Sequence, residues 1–132
     1  IVAYKKAIEL DPDYAVAYYH LGNTYGQQGN FDAAIVAYKK AIELDPDLAQ
    51  AYNYLGIAYG QQGNFDAATE AYNKAIELAP DYAGVYYYEQ GVAYEKQDKL
   101  DEAIAAYNNA ATKEGDKDGR GGFSFGSEEE RK

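Results

Sequence analysis

The chain has 132 residues, a net charge of −10 and 47% hydrophobic residues, with sixteen tyrosines and no Cys, Met or Trp. The length suits one domain. The missing cysteines exclude a disulfide framework, a thiolate metal site and a Cys nucleophile. The acidity argues against nucleic acid, whose phosphates need clustered Lys and Arg, and no apolar run approaches the roughly 18 residues of a membrane span.

Taken in chain order, the spacing of apolar residues predicts seven helices. The first covers residues 1–10, with Val2, Tyr4 and Ile8 on one face, and precedes Pro12. A second, over 14–28, runs into Gly29-Asn30, where Gly suits the left-handed position after a helix and Asn the N-cap of the next. The third covers 31–44. It places Phe31, Ala34, Ile35, Tyr38, Ala41 and Ile42 at the three-and-four spacing of one buried face, carries Asp32 where an acid complements the helix dipole, and stops before Asp45-Pro46. Helices at 48–62 and 65–78 repeat this pair, and 82–97 and 100–112 repeat it again. From Thr112 onward the sequence is rich in Gly and charge without periodicity, which reads as a mostly disordered tail over 112–132. That tail holds one copy each of Arg120-Gly121-Gly122 and Phe123-Ser124-Phe125-Gly126, and single copies of such motifs carry no functional assignment.

The period is 34 residues, as Pro12, Pro46 and Pro80 show. Residues 15–48 and 49–82 align without gaps and are identical at 24 of 34 positions, 34 minus 10 differences. Gly22 and Gly56 recur in mid-helix, where glycine costs about 1 kcal/mol relative to alanine. A cost repeated at one place implies close approach of the partner helix, with Ala34 and Ala68 expected to face the two glycines and Tyr18 and Tyr52 to fill the gap toward neighbouring helices. The third copy departs from the pattern: Pro80 to Gly91 is one residue longer, which places an insertion near 83–84, and Gln90 replaces the leucine before the glycine.

These residues carry a resemblance. Tyr18, Leu21-Gly22, Tyr25, Ala34, Tyr38, Ala41 and Pro46, repeated as Tyr52, Leu55-Gly56, Tyr59, Ala68, Tyr72, Ala75 and Pro80, resemble the tetratricopeptide repeat. Tyr87, Gly91, Tyr94, Ala103, Tyr107 and Ala110 continue it. The resemblance implies an all-α fold, an α-solenoid winding as a right-handed superhelix of helix–turn–helix repeats. Residues 1–14 would be the second half of a preceding repeat, 15–48, 49–82 and 83–111 three repeats, and 112–132 the tail. The tyrosines at pattern positions are expected in the core.

It also implies that the first helix of each pair lines a concave face that binds a protein or an extended peptide. The family's contact positions fall on Val16, Tyr19, His20, Asn23, Gly26 and Gln27, on Gln50, Asn53, Tyr54, Ile57, Gly60 and Gln61, and on Val85, Tyr88, Glu89, Val92, Glu95 and Lys96. Four of the ten differences between the first two repeats, Val16/Gln50, Tyr19/Asn53, His20/Tyr54 and Asn23/Ile57, are among these positions, so the framework repeats while the groove varies. The first two repeats supply no groove cation, and Tyr19 stands where a carboxylate-clamping lysine would be, which argues against a clamp for an acidic peptide terminus.

No chemistry is signalled. His20 has no Asp, Glu or second His near it on its helix face, so neither a zinc site nor a triad follows, and no cofactor is expected. The glycines of Gly26-Gln27-Gln28-Gly29 end a helix rather than follow a strand, unlike a phosphate loop. The reading is therefore a non-enzymatic binding scaffold. Its rival is a self-assembly module, in which copies associate through repeat ends left open.

Overall fold

Gly29 and Gly63 take φ of +78° and +83°, the left-handed conformation that only glycine adopts at no steric cost. The chain reverses there, and the next residue starts a new helix. Asn30 Oδ1 accepts from the Ala33 N–H at 3.3 Å, and Asn64 Oδ1 from the Ala67 N–H at 3.4 Å, so each N-cap is satisfied as the sequence predicts. The Asn30 and Asn64 N–H groups in turn donate back to the Tyr25 and Tyr59 carbonyls at 2.9 Å.

The computed structural model describes residues 2–10 and 14–117. Among them are seven α-helices: α1 (Val2–Leu10), α2 (Ala15–Gln27), α3 (Phe31–Leu44), α4 (Ala49–Gln61), α5 (Phe65–Leu78), α6 (Ala83–Lys96) and α7 (Leu100–Lys117). The fold is all-α, and no strand occurs among the described residues. Six helices begin and end within a residue of the expected bounds. The exception is α7, which continues to Lys117 although the tail was expected from Thr112. The Ala-Ala-Thr-Lys-Glu run after Asn109 contains no proline to stop it, and its Ala, Lys and Glu are good helix formers that need no apolar partner. The single-copy tail motifs at 120–126 and Pro12 lie outside the described residues.

Length alone points to one domain, whereas the chain divides into two compact units, Ile1–Leu78 and Ala79–Lys132. In the first unit each helix packs on the next, α1 on α2, α2 on α3, α3 on α4 and α4 on α5. Ala34, Ile35 and Tyr38 of α3, Leu55 and Ala58 of α4 and Ala71 of α5 form a continuous core, flanked by Phe31, Ile42 and Tyr59. Gln62 donates to the Asp32 carboxylate across successive pairs, and Lys39 lies over the Tyr59 ring, 5.7 Å from its centroid. In the second unit α6 packs on α7. The longer connection there holds a 3-10 turn at Pro80–Tyr82, and α6 follows as unbroken α-helix.

The mid-helix glycines do face the partner helix, but what they meet is a tyrosine ring and not Ala34 or Ala68. A Cβ on Gly22 would lie 2.6 Å from the Tyr38 ring, one on Gly56 2.7 Å from Tyr72, and one on Gly91 2.7 Å from Tyr107. The reason is geometric. A flat ring laid along a helix needs a backbone without a side chain, while an alanine would leave that space empty. Tyr38 and Tyr72 are accordingly deeply buried, at 3% and 2% exposure, whereas Tyr107 over Gly91 is half-buried and Tyr86, outside the repeat pattern, is buried at 4%. The other pattern tyrosines expected in the core, including Tyr18, Tyr25, Tyr52 and Tyr59, are half-buried, which leaves their hydroxyls within reach of water. Gly56→Leu should therefore cost several kcal/mol by overpacking, despite its better helix propensity. Thermal and urea unfolding followed by circular dichroism will check this, and a mutant as stable as the parent would show that the ring can move aside.

The second unit lacks two devices of the first. Asp98 occupies the turn position of Gly29 and Gly63 with φ +64°, a conformation disfavoured for residues with a Cβ, and Lys99 stands where Asn30 and Asn64 cap. Restoring the chain's own Gly-Asn by Asp98→Gly and Lys99→Asn should raise stability by about 1–2 kcal/mol in all. The same unfolding measurement reads this as a higher midpoint.

Candidate functional site

The first helix of each pair turns one face away from its partner, and in the first unit these faces meet the rings of α3 in a cleft. Asn23, Gly26 and Gln27 come from α2, Phe31, Ala34 and Tyr38 from α3, and Tyr54, Ile57, Ala58 and Gln61 from α4. The cleft's volume is about 320 Å3, at the lower end of ligand-sized pockets. Among the described residues none with a formal charge lines it. Gly26 and Gly60 keep the space above their helices open, since a Cβ on Gly60 would meet nothing within 4 Å.

Aromatic rings adjoin the cleft. Tyr19 and Tyr54 meet edge to face at 5.8 Å, Tyr38 stacks on Tyr54 at 6.3 Å, Tyr19 touches His20 at 5.2 Å, and His20 stacks on Tyr4 at 5.4 Å. Hydrogen bonds link them to Asn23. The buried Tyr38 hydroxyl donates to Asn23 Oδ1 at 2.6 Å, and the Asn23 amide hydrogen-bonds the Tyr19 hydroxyl. The Asn23 oxygen keeps a second lone pair, so the amide can meet Tyr19 as donor or as acceptor. Burial raises the ionisation of both phenols above the usual value, so both stay protonated at neutral pH.

The contact positions separate into three groups. Asn23, Gln27, Tyr54, Ile57 and Gln61 line the cleft, and Tyr19 and His20 join it through the rings. Val16 and Gln50 are exposed and do not line it, while Asn53 is buried at 4% exposure, with an Oδ1 that has no hydrogen-bond partner among the described residues. Tyr88, Val92 and Lys96 belong to the second unit, where Tyr88 is 54% exposed, Val92 half-buried and Lys96 exposed. Sequence reasoning assigned Phe31, Ala34 and Tyr38 to the buried face of their helix and missed that the same residues floor the cleft. The signal was present in Asn23, the single polar groove residue placed fifteen positions before a pattern tyrosine.

On α6, burial raises the Glu89 carboxyl and Lys96 opposes that shift. Tyr107 donates to Glu95 Oε1 at 2.8 Å and touches the Tyr88 ring. Burial, followed by the hydrogen bond and charge of Glu95, pushes the Tyr107 phenol up to about 12 from 10.0. A raised folded value means that the unfolded chain loses its proton first. Stability from this group is therefore complete below pH 10 and lost as pH climbs toward 12. Urea unfolding across that window should decline more steeply for the parent than for Tyr107→Phe, and equal slopes would show that the phenol is not held.

Among the described residues no group of His, Asp and Glu could hold a metal ion, and no helix is long and apolar enough to cross a membrane. Family profiles described as TPR repeat match residues 1–29 and 23–63, and profiles described as tetratricopeptide repeat match 49–82 and 85–112. Among solved structures, the crystal structure of MamA is 38% identical over 88% of this chain and 67% of that one, with a TM-score of 0.79. A second MamA structure has the same identity and a TM-score of 0.78, and this chain covers 63% of its length. The N-terminal domain of stress-induced protein-1 (STI-1) from C. elegans is 29% identical over 76% of this chain and 84% of that one, with a TM-score of 0.69. A sequence comparison with curated proteins finds no match.

Proposed function

The chain belongs to the tetratricopeptide repeat family, whose members are typically protein-interaction scaffolds, and on that premise we propose that its first unit binds an extended peptide of a partner protein in the α2–α3–α4 cleft. The observation that carries the reading is the cleft itself: a ligand-sized hollow, open over Gly26 and Gly60, walled by tyrosines and edged by side-chain amides. Tyrosines contribute large, rigid contact area and amides orient a backbone. The role proposed is binding.

The cleft's neutrality distinguishes it from a carboxylate clamp. Holding a peptide's terminal carboxylate as a clamp does requires a cation, because a charge taken from water without a partner is costly. None lines this one.

A second observation favours association of copies. On the flank of α2 and α3 an apolar recess of about 510 Å3 is lined by Tyr18, Leu21, Tyr25, Ala33, Val36, Ala37 and Lys40, with Val36 69% exposed. In the next repeat the equivalents of Leu21 and Ala37, namely Leu55 and Ala71, are packed with Ile35 of α3. The recess lies on the side of α2 and α3 where α1 also packs on α2, and exposed apolar patches are common contact sites.

One experiment separates the two readings. Tyr19→Asn and Asn23→Ile each import the residue the other repeat already tolerates, and with Tyr54→Ala they strip the cleft while the helicity remains. Peptides selected from a random library on the parent protein should lose binding to this triple variant. Binding that persists would sink the cleft reading. Concentration-dependent light scattering that is abolished by Val36→Glu, the residue of repeat two, and indifferent to the triple variant would favour self-association.

A further inference from the structure

Position 95 is where the second unit departs from the first in chemistry. Its counterparts are Gly26 and Gly60. A Cβ on Gly26 would lie 4.0 Å from the Tyr38 hydroxyl, so a side chain at this position is aimed at the framework phenol. Glu95 uses that approach, and its Oε1 accepts from the Tyr107 hydroxyl at 2.8 Å. An exposed carboxylate is thereby held in one place. Its two oxygens offer about four acceptor sites, of which the phenol takes one.

The surface beside it suits a cationic side chain. Tyr88, Val92 and Glu95 stand at i, i+4 and i+7 of α6, on one face of the helix. The Tyr88 ring is 54% exposed and lies 5.6 Å from the Tyr107 ring, while Val92 is half-buried. An arginine has parts that match each of these. Its aliphatic stem covers apolar surface, and its planar guanidinium stacks on tyrosine and meets a carboxylate with two parallel N–H bonds.

The charges agree in sign. Lys96 is the single cation of α6. It acts on Glu89, whose carboxyl is raised by burial and lowered again by Lys96. The ion pairs among the described residues, Lys40–Glu43 and Lys74–Glu77, involve neither Glu95 nor Glu89. Burial first, then the bond and charge of Glu95 and the charge of Glu89, hold the proton on Tyr107. The neutral cleft of the first unit offers a cation no such partner, and a chain of net charge −10 attracts basic peptides from a distance.

We propose that the second unit carries its own binding site, for an arginine side chain of a basic peptide. The guanidinium pairs with Glu95 and stacks on Tyr88, the stem lies on Val92, and Tyr107 holds the carboxylate in position. This site does not depend on the cleft reading above.

Fluorescence anisotropy on the full chain tests it, with labelled, capped serine–glycine peptides carrying arginine, lysine or the uncharged isostere citrulline at the same positions. At about 0.15 M salt, charges more than about 8 Å apart are largely screened, so diffuse attraction to the acidic chain is small. The arginine peptide should bind roughly tenfold more tightly than the citrulline peptide, and Glu95→Gln should remove that advantage. Lysine should bind more weakly than arginine, because its ammonium neither stacks flat nor pairs twice. Tyr107→Phe keeps the ring but frees the carboxylate, and should weaken the arginine peptide by roughly threefold. Glu102→Gln removes an equal charge from an exposed position of α7 and should leave the affinity unchanged. Unfolding midpoints by circular dichroism will show that Glu95→Gln and Glu102→Gln, both at exposed positions, keep the fold. Equal affinity for arginine and citrulline, or equal losses in Glu102→Gln and Glu95→Gln, overturns the proposal. So does an arginine peptide that fails to bind the parent, and lysine binding as tightly as arginine overturns the choice of side chain.

Discussion

Everything in these repeats depends on a tyrosine ring lying flat against a glycine of the opposite helix. Three such pairs, Gly22 with Tyr38, Gly56 with Tyr72 and Gly91 with Tyr107, bring each helix pair closer than side chains on both faces would permit. The helix penalty of the glycine, about 1 kcal/mol, is offset by burying most of an aromatic side chain, which is worth about 1.5–3 kcal/mol. Close approach then forces small residues around the ring. Ala34, Ala41, Ala68 and Ala75 are entirely buried for that reason, and the many alanines and tyrosines of the composition are two sides of one packing rule.

The same contact builds the site. A phenylalanine at position 38 could fill the space beside Gly22, but it would have no hydroxyl to give Asn23. The phenol therefore ties the core to the cleft: its ring lies between α2 and α3 at the glycine, and its hydroxyl holds the Asn23 amide that lines the cleft. The exposed ion pairs Lys40–Glu43 and Lys74–Glu77 contribute little by comparison, since solvent screens surface pairs to at most about 1 kcal/mol.

Most of the fold was legible because the chain states it more than once. Gly29-Asn30 and Gly63-Asn64 marked the reversals by their backbone demands, and the bounds of six helices followed to within a residue. What the sequence did not reveal depended on contacts between helices. Nothing in the spacing of Gly22 says whether Ala34 or Tyr38 lies over it, because both sit on the inward face of α3 one turn apart. For the same reason Phe31 and Tyr38 could not be recognised as belonging to both core and cleft. Asn53 shows the opposite failure: it occupies a groove position by register yet is buried, and the structure offers no partner for its Oδ1. The end of α7 was missed because helix formers without an apolar stripe leave no periodic signal.

The framework tyrosine also explains how one scaffold can diversify. Its hydroxyl reaches Asn23 in the first repeat and Glu95 in the last, while the position of Asn23 is held by Ile57 and Val92 in the other two. One invariant phenol is thus handed to a neutral amide in one place and to an acid in another, with the ring packing unchanged. What the phenol meets, amide, acid or bare hydrocarbon, is set by the half-buried position of Asn23, Ile57 and Val92 and by the position of Gly26, Gly60 and Glu95 one turn on. Within each helix pair the surface beside the phenol can therefore change while the ring and glycine beneath it stay as they are.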